Sequence, residues 1–193
     1  MVINYLGGGA FRLQSGETSL LVDPESNRLK ADVVLRTLAP ANFSTAEDNA
    51  LPQNEIFFPG EYEIKGIEVR GVPVRQESGE KFLKTIYAVE WEEIRLAFLG
   101  YLSRTLSAET IDELNEPDIL FLPIGGGHFL APEAAARLAK QIEPAFIIPT
   151  SYKNPTEFLK AMGQKAEAQE KLVFKKKDLL NEKSRVILLE PKS

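Results

Sequence analysis

The 193 residues suffice for one substantial domain or two small ones, and 44% apolar with 26% charged residues is the balance of a folded globular chain. A net charge of −5 and a pI near 5.1 argue against non-specific attraction to nucleic acid or to an anionic membrane surface. With no cysteine, disulfides and thiolate metal sites are excluded.

The opening residues lack a basic stretch followed by an apolar core, and no apolar run approaches the roughly 18 residues of a membrane helix, so a cytoplasmic location is the expectation. Short β-type runs over 2–6, 10–13 and 18–22 are separated by Gly7-Gly8-Gly9 and by Gln14-Ser15-Gly16-Glu17. Asp32-Val33-Val34-Leu35 is a continuous apolar run of the kind that forms a strand buried on both faces. Residues 37–54 lose periodicity and gather Ala, Pro, Asn, Ser and Asp, which reads as a loop with room for a short helix. Strands resume over 55–58, 62–65, 67–72, 82–91 and 94–99, with turns marked by Gly60, Gly66 and Glu92-Glu93.

The second half alternates between helix and strand. Ser107 can cap a helix over 108–115, its hydroxyl accepting from an amide that would otherwise lack a partner. A buried strand follows over 118–122, and Pro132 suits the first turn of a helix running to about Gln141. A strand over 145–148, a short helix over 155–162 and strands over 172–175 and 185–189 complete the chain. Antiparallel strands followed by βαβ units predict a mixed α/β sandwich, and no repeat or linker divides residues 1–193 into separate domains.

Few residues suggest chemistry. His128, the only histidine, follows Gly125-Gly126-Gly127. It could serve as a general base or contact a ligand, but an imidazole without an evident orienting partner reads more plainly as a loop histidine. The triple glycine could present amides to an anion, yet no Walker or Rossmann spacing surrounds it. Glu61-Tyr62-Glu63 offers paired acids, but residues alternate in direction along a strand, and these are not read as a catalytic dyad. Trp91 reads as a strand-packing aromatic, and Lys175-Lys176-Lys177 as a solvated strand end before a turn.

Several strings, taken in order, resemble the metallo-β-lactamase superfamily, in particular its small UPF0173-like zinc hydrolases. Tyr5-Leu6-Gly7-Gly8-Gly9-Ala10-Phe11 and Leu21-Val22-Asp23-Pro24 resemble that family's Y-L-G-H-S-x-F and I-D-P hairpin. Ala31-Asp32-Val33-Val34-Leu35 leads to Thr37, where the family has T-H-x-H-x-D-H, and Pro59-Gly60-Glu61-Tyr62-Glu63 matches a recurrent turn. Leu99-Gly100-Tyr101-Leu102 stands for G-D-L. Asp118 to Pro123 with Gly125-Gly126-Gly127 resembles D-V-L-L-x-P-x-G-G, and Ile147 to Tyr152 resembles I-I-P-M-H-Y. The resemblance implies an αββα sandwich, two mixed sheets with helices outside.

The metal positions depart from the pattern. The resemblance assigns them to Leu38, Pro40, Asn42, Phe43, Gln76, Tyr101 and Ser151, and puts Gly8 where the opening hairpin carries its histidine. A catalytic zinc takes about three imidazole, carboxylate or thiolate ligands and one water. Leu, Pro and Phe have no side-chain lone pair to donate, and Asn, Gln, Ser and Tyr are poor zinc ligands. The expectation is a pseudoenzyme without cofactor or metal. Its role would be binding a small molecule or a protein partner, or assembly with itself or with an active relative, with Leu38, Pro40 and Phe43 collapsed into the vacated space and Tyr101 capping it. The alternative is a metal-independent hydrolase using Ser151, Tyr101 and His128, with a carboxylate such as Glu61 completing a nucleophile set.

Overall fold

The computed structural model describes residues 1–26, 28–41 and 54–192. The first half is built from β1 (Val2–Gly7), β2 (Ala10–Ser15), β3 (Thr18–Val22), β4 (Val33–Leu35), β5 (Leu38–Pro40), β6 (Glu55–Ile56), β7 (Gly60–Ile64), β8 (Ile67–Pro73), a 3-10 turn (Arg75–Glu77), β9 (Phe82–Trp91) and β10 (Ile94–Phe98). The second half is α1 (Ala108–Asp112), β11 (Ile119–Pro123), α2 (Pro132–Ile142), β12 (Phe146–Thr150), α3 (Thr156–Met162), β13 (Ala168–Gln169), β14 (Leu172–Val173), a 3-10 turn (Lys176–Asp178), β15 (Arg185–Val186) and β16 (Leu188–Leu189).

Two mixed sheets stack face to face. The first has the order β14-β1-β2-β3-β4-β6; the second runs β15-β12-β11-β10-β9-β8-β7, with β5 paired to β9. Strands β10, β11, β12 and β15 are parallel, as their crossover connections require, whereas β7 to β10 form antiparallel hairpins. Alternation along the strands divides the apolar residues between two layers. Phe11, Leu13, Val33, Leu35, Tyr87, Val89, Trp91, Phe98, Phe121 and Ile148 meet between the sheets. Ile86, Ala97, Leu120, Leu122 and Ile147 face the other way, onto Leu114, Ala135, Leu138, Ala139 and Phe158 of the helical side. Among the described residues the three helices all pack on the second sheet. None of them is long and apolar enough to cross a membrane.

The helix ends follow local chemistry. The Ser107 hydroxyl accepts from the Thr110 amide at the start of α1, and Pro132 occupies the first turn of α2. Gly163 ends α3 in a left-handed conformation. Three sequence expectations are corrected. Part of the loop read over 37–54 is strand β5, because Leu38, Ala39 and Pro40 pair with Lys84, Leu83 and Phe82. The strand expected over 172–175 ends at Val173. Its lysines enter a 3-10 turn instead, where Lys176 donates to Asp118 at 2.8 Å.

Candidate functional site

The parallel strands β10, β11 and β12 end at one rim of the sandwich, where open α/β sheets commonly place their ligand sites. Three close contacts organise that rim. The Ser151 amide, just past β12, donates to Gly8 O in the β1–β2 hairpin at 2.8 Å, and the Ser151 hydroxyl reaches the same oxygen at 3.3 Å. Gly125 lies against Ser151 so closely that a Cβ there would come within 2.0 Å of the Ser151 carbonyl. That contact requires glycine at 125, the first of the three, whereas a Cβ at Gly126 or Gly127 would meet nothing within 4 Å. The Leu130 amide donates to Leu102 O at 3.0 Å, joining the loop after β11 to the loop after β10.

Beneath the rim, Asp23 bridges to Thr37. Its carboxylate accepts the Thr37 amide at 2.7 Å and the Thr37 hydroxyl at 2.5 Å. Thr37 in turn packs on Gly100, where a Cβ would meet Thr37 Oγ1 at 2.1 Å. Burial pushes the Asp23 carboxyl up to about 6, against the bonds from Thr37 and the charge of Arg36. Asp23 and Ser151 both hold left-handed backbone, with φ of 43° and 54°, sparsely populated for residues other than glycine.

Tyr101 is half-buried, its ring 5.8 Å from that of Phe129. Burial raises its hydroxyl above the usual tyrosine range, and the negative charges of Asp23 and Glu25 add to the rise, so it remains neutral at physiological pH. Leu38, Phe82, Lys84, Tyr101, Ser103 and His128 line a cleft of about 580 Å³. Glu77 closes its base. Its side chain is 4% exposed and pairs with Lys84 at 2.7 Å. Burial works most strongly against its charge, but bonds from Lys84, from Ser103 and from the amides of Arg104 and Ser103 together hold its carboxyl below the usual range.

Of the residues singled out from sequence, Leu38 and Tyr101 line this cleft and His128 sits exposed in its wall, without a hydrogen bond or ion pair among the described residues. Pro40 and Gln76 are exposed, so the expected apolar collapse does not extend to Pro40. Strand alternation explains this: β5 buries Ala39 and turns Leu38 and Pro40 the other way. Asn42 and Phe43 lie outside the described residues. The imagined nucleophile set is not assembled. Ser151 is bonded to the hairpin, and Glu61 pairs with Arg70 at 3.1 Å in a separate groove beside α1. Sequence reasoning missed Glu77 and Lys84. The available signal was Lys84 near the start of a largely apolar strand, which needs a partner wherever it is not solvated.

The model of the beta-lactamase superfamily domain matches residues 2–151. The chain belongs to that family. In fold it is similar to a metallo-β-lactamase superfamily protein of Thermotoga maritima, with a TM-score of 0.77, 23% identity and 97% of each chain covered. In sequence it is similar to UPF0173 metal-dependent hydrolases of Thermococcus onnurineus and Methanopyrus kandleri. The first is 28% identical over 120 residues, 56% of this chain and 54% of the relative; the second is 31% identical over 106 residues, 51% and 46%. The chain thus spans about half the length of these two relatives. The metal centre that the metallo-β-lactamase relatives imply does not fit the side chains here. Of the positions that the resemblance assigns to metal ligands, the described ones hold Leu38, Pro40, Gln76, Tyr101 and Ser151. Among the described residues no three His, Asp or Glu side chains converge to hold an ion.

Proposed function

We propose that this chain is a non-catalytic member of the metallo-β-lactamase superfamily that keeps the rim cleft as a binding surface for a small molecule or a protein partner. The donor chemistry at the former metal positions carries the reading. Leucine and proline offer no side-chain lone pair, and a neutral tyrosine hydroxyl, a primary amide and a serine already bonded to Gly8 make poor zinc ligands. Without such an ion, water keeps its bulk pKa near 15.7 rather than about 7, and hydroxide is scarce at neutral pH. The cleft at Leu38, Tyr101 and His128 is roomy enough for a small ligand. In this reading residues 1–193 act as one cytoplasmic domain, free or self-associated, with no role in nucleic-acid or membrane binding.

The untagged protein, incubated with zinc, manganese and iron and then dialysed, is expected to retain well under one equivalent of metal by mass spectrometry. It should hydrolyse phosphodiester, lactone, thioester and β-lactam probes no faster than buffer. A stoichiometric metal, or a turnover abolished by Ser151→Ala or Tyr101→Phe in a folded protein, would overturn the proposal.

A further inference from the structure

Glu77 ends the 3-10 turn after β8, Lys84 stands on β9, and Ser103 and Arg104 follow β10. The network they form lies one residue from Gln76 and reaches the backbone of Tyr101, two of the positions that the resemblance assigns to metal ligands. Both carboxylate oxygens of Glu77 are used. Oε1 accepts the Arg104 amide at 2.8 Å, Oε2 accepts the Ser103 hydroxyl at 2.6 Å and Lys84 Nζ at 2.7 Å, and the Ser103 amide is shared between them at 3.1 and 3.0 Å. Lys84 Nζ donates a second bond, at 2.7 Å, to Tyr101 O.

We propose that the Glu77–Lys84 pair is an internal clamp that replaces a metal ion as the cross-link between the loops of the cleft. The proposal rests on the reading of the chain as a metal-free family member. A structural metal fastens separate loops by gathering their donors around one charge. Here a carboxylate gathers two amides, a hydroxyl and an ammonium group, and the ammonium carries the link on to Tyr101. At 4% and 20% exposure the pair is shielded from solvent, unlike the surface ion pairs that contribute little. Removing one partner strands a buried charge, so the two side chains depend on each other. The position of the Tyr101 ring, and with it the shape of the cleft, follows from this pair.

Amide hydrogen exchange on the full chain tests the clamp. In the wild type, the Ser103 and Arg104 amides should exchange at least ten-fold more slowly than that of Thr105, and EDTA should not change this. Glu77→Gln converts one accepting oxygen into a donor and removes the ion pair. It should speed exchange of at least one of these amides ten-fold while leaving Leu120 and Phe121 of β11 unchanged. Lys84→Met should lower the unfolding temperature more than the double variant Glu77→Gln/Lys84→Met, in which no charge is stranded. Unprotected wild-type amides overturn the clamp even if the variants fail to fold. Unchanged rates in Glu77→Gln, with no EDTA effect, sink the clamp and leave the metal-free reading standing. Acceleration by EDTA alone sinks both.

Discussion

Between the sheets, Phe98 stacks on Phe121 with ring centroids 4.3 Å apart, and Phe11 meets Phe121 edge-on at 4.8 Å. At the rim a few angstroms along the same strands, the contacts are instead polar: Asp23 on Thr37, Ser151 on Gly8, Glu77 on Lys84, Ser103 and Arg104. The inner layer is non-directional and needs only shape and apolar surface, which tolerate extensive sequence change. The rim needs particular donors matched to particular acceptors. A family fold can therefore tolerate change at its rim, because the layer that holds the sheets together does not depend on the rim contacts.

Three substitutions probe that contrast. Phe121→Ala removes a fully buried ring from the inter-sheet layer and should cost roughly 3–5 kcal/mol in urea unfolding. A loss below about 1 kcal/mol would mean that the inner layer does not dominate cohesion. Asp23→Asn should act in the opposite direction and depend on pH. Folding raises this carboxyl from its ordinary 3.8 to about 6, so its contribution is fully present below about 3.8 and is lost as pH rises through about 6. Asparagine keeps an acceptor for the Thr37 amide and can donate to the Thr37 hydroxyl. The variant should be more stable than wild type at pH 8, by at most roughly 3 kcal/mol, with the gap closing toward pH 4. An equal gap at both pH values would show that Asp23 does not titrate across this range. His128→Ala should be the mildest, leaving stability within about 0.5 kcal/mol because the side chain is exposed and makes no bond among the described residues. A larger shift would reveal a partner for this histidine at the cleft.

The same contrast explains what was legible in the sequence. Short β-type runs and continuous apolar stretches located most strands of the two sheets, and Ser107 and Pro132 marked helix starts, because these signals are local. Trp91 was expected to pack within a strand and is buried between the sheets. Strand β5 was missed because Leu38-Ala39-Pro40 is too short to show alternation and contains a proline; only its pairing with β9 defines it. The Glu77 network was invisible for a related reason. Its members lie on three separate segments, and nothing in the spacing of residues 77, 84, 103 and 104 announces that they meet. The cleft lined by Leu38 could not be read either, since it depends on which way β5 turns that residue.

The first sheet has a consequence for how the protein is made. Its hairpins β1–β2 and β2–β3 join near neighbours, but the outer side of β1 is paired only when Val2 and Ile3 meet Val173 and Leu172, and Tyr5 bridges to Pro191. Such distant pairings carry a large loop-closure cost and form late. Until residue 173 has been synthesised, β1 presents a row of unpaired amides and carbonyls beside an apolar face. An unpaired edge of that kind is a template for strand exchange with other chains. A nascent or shortened polypeptide that stops before β14 is thus more exposed to aggregation than the completed one, and β14, only two residues long, acts as the seal.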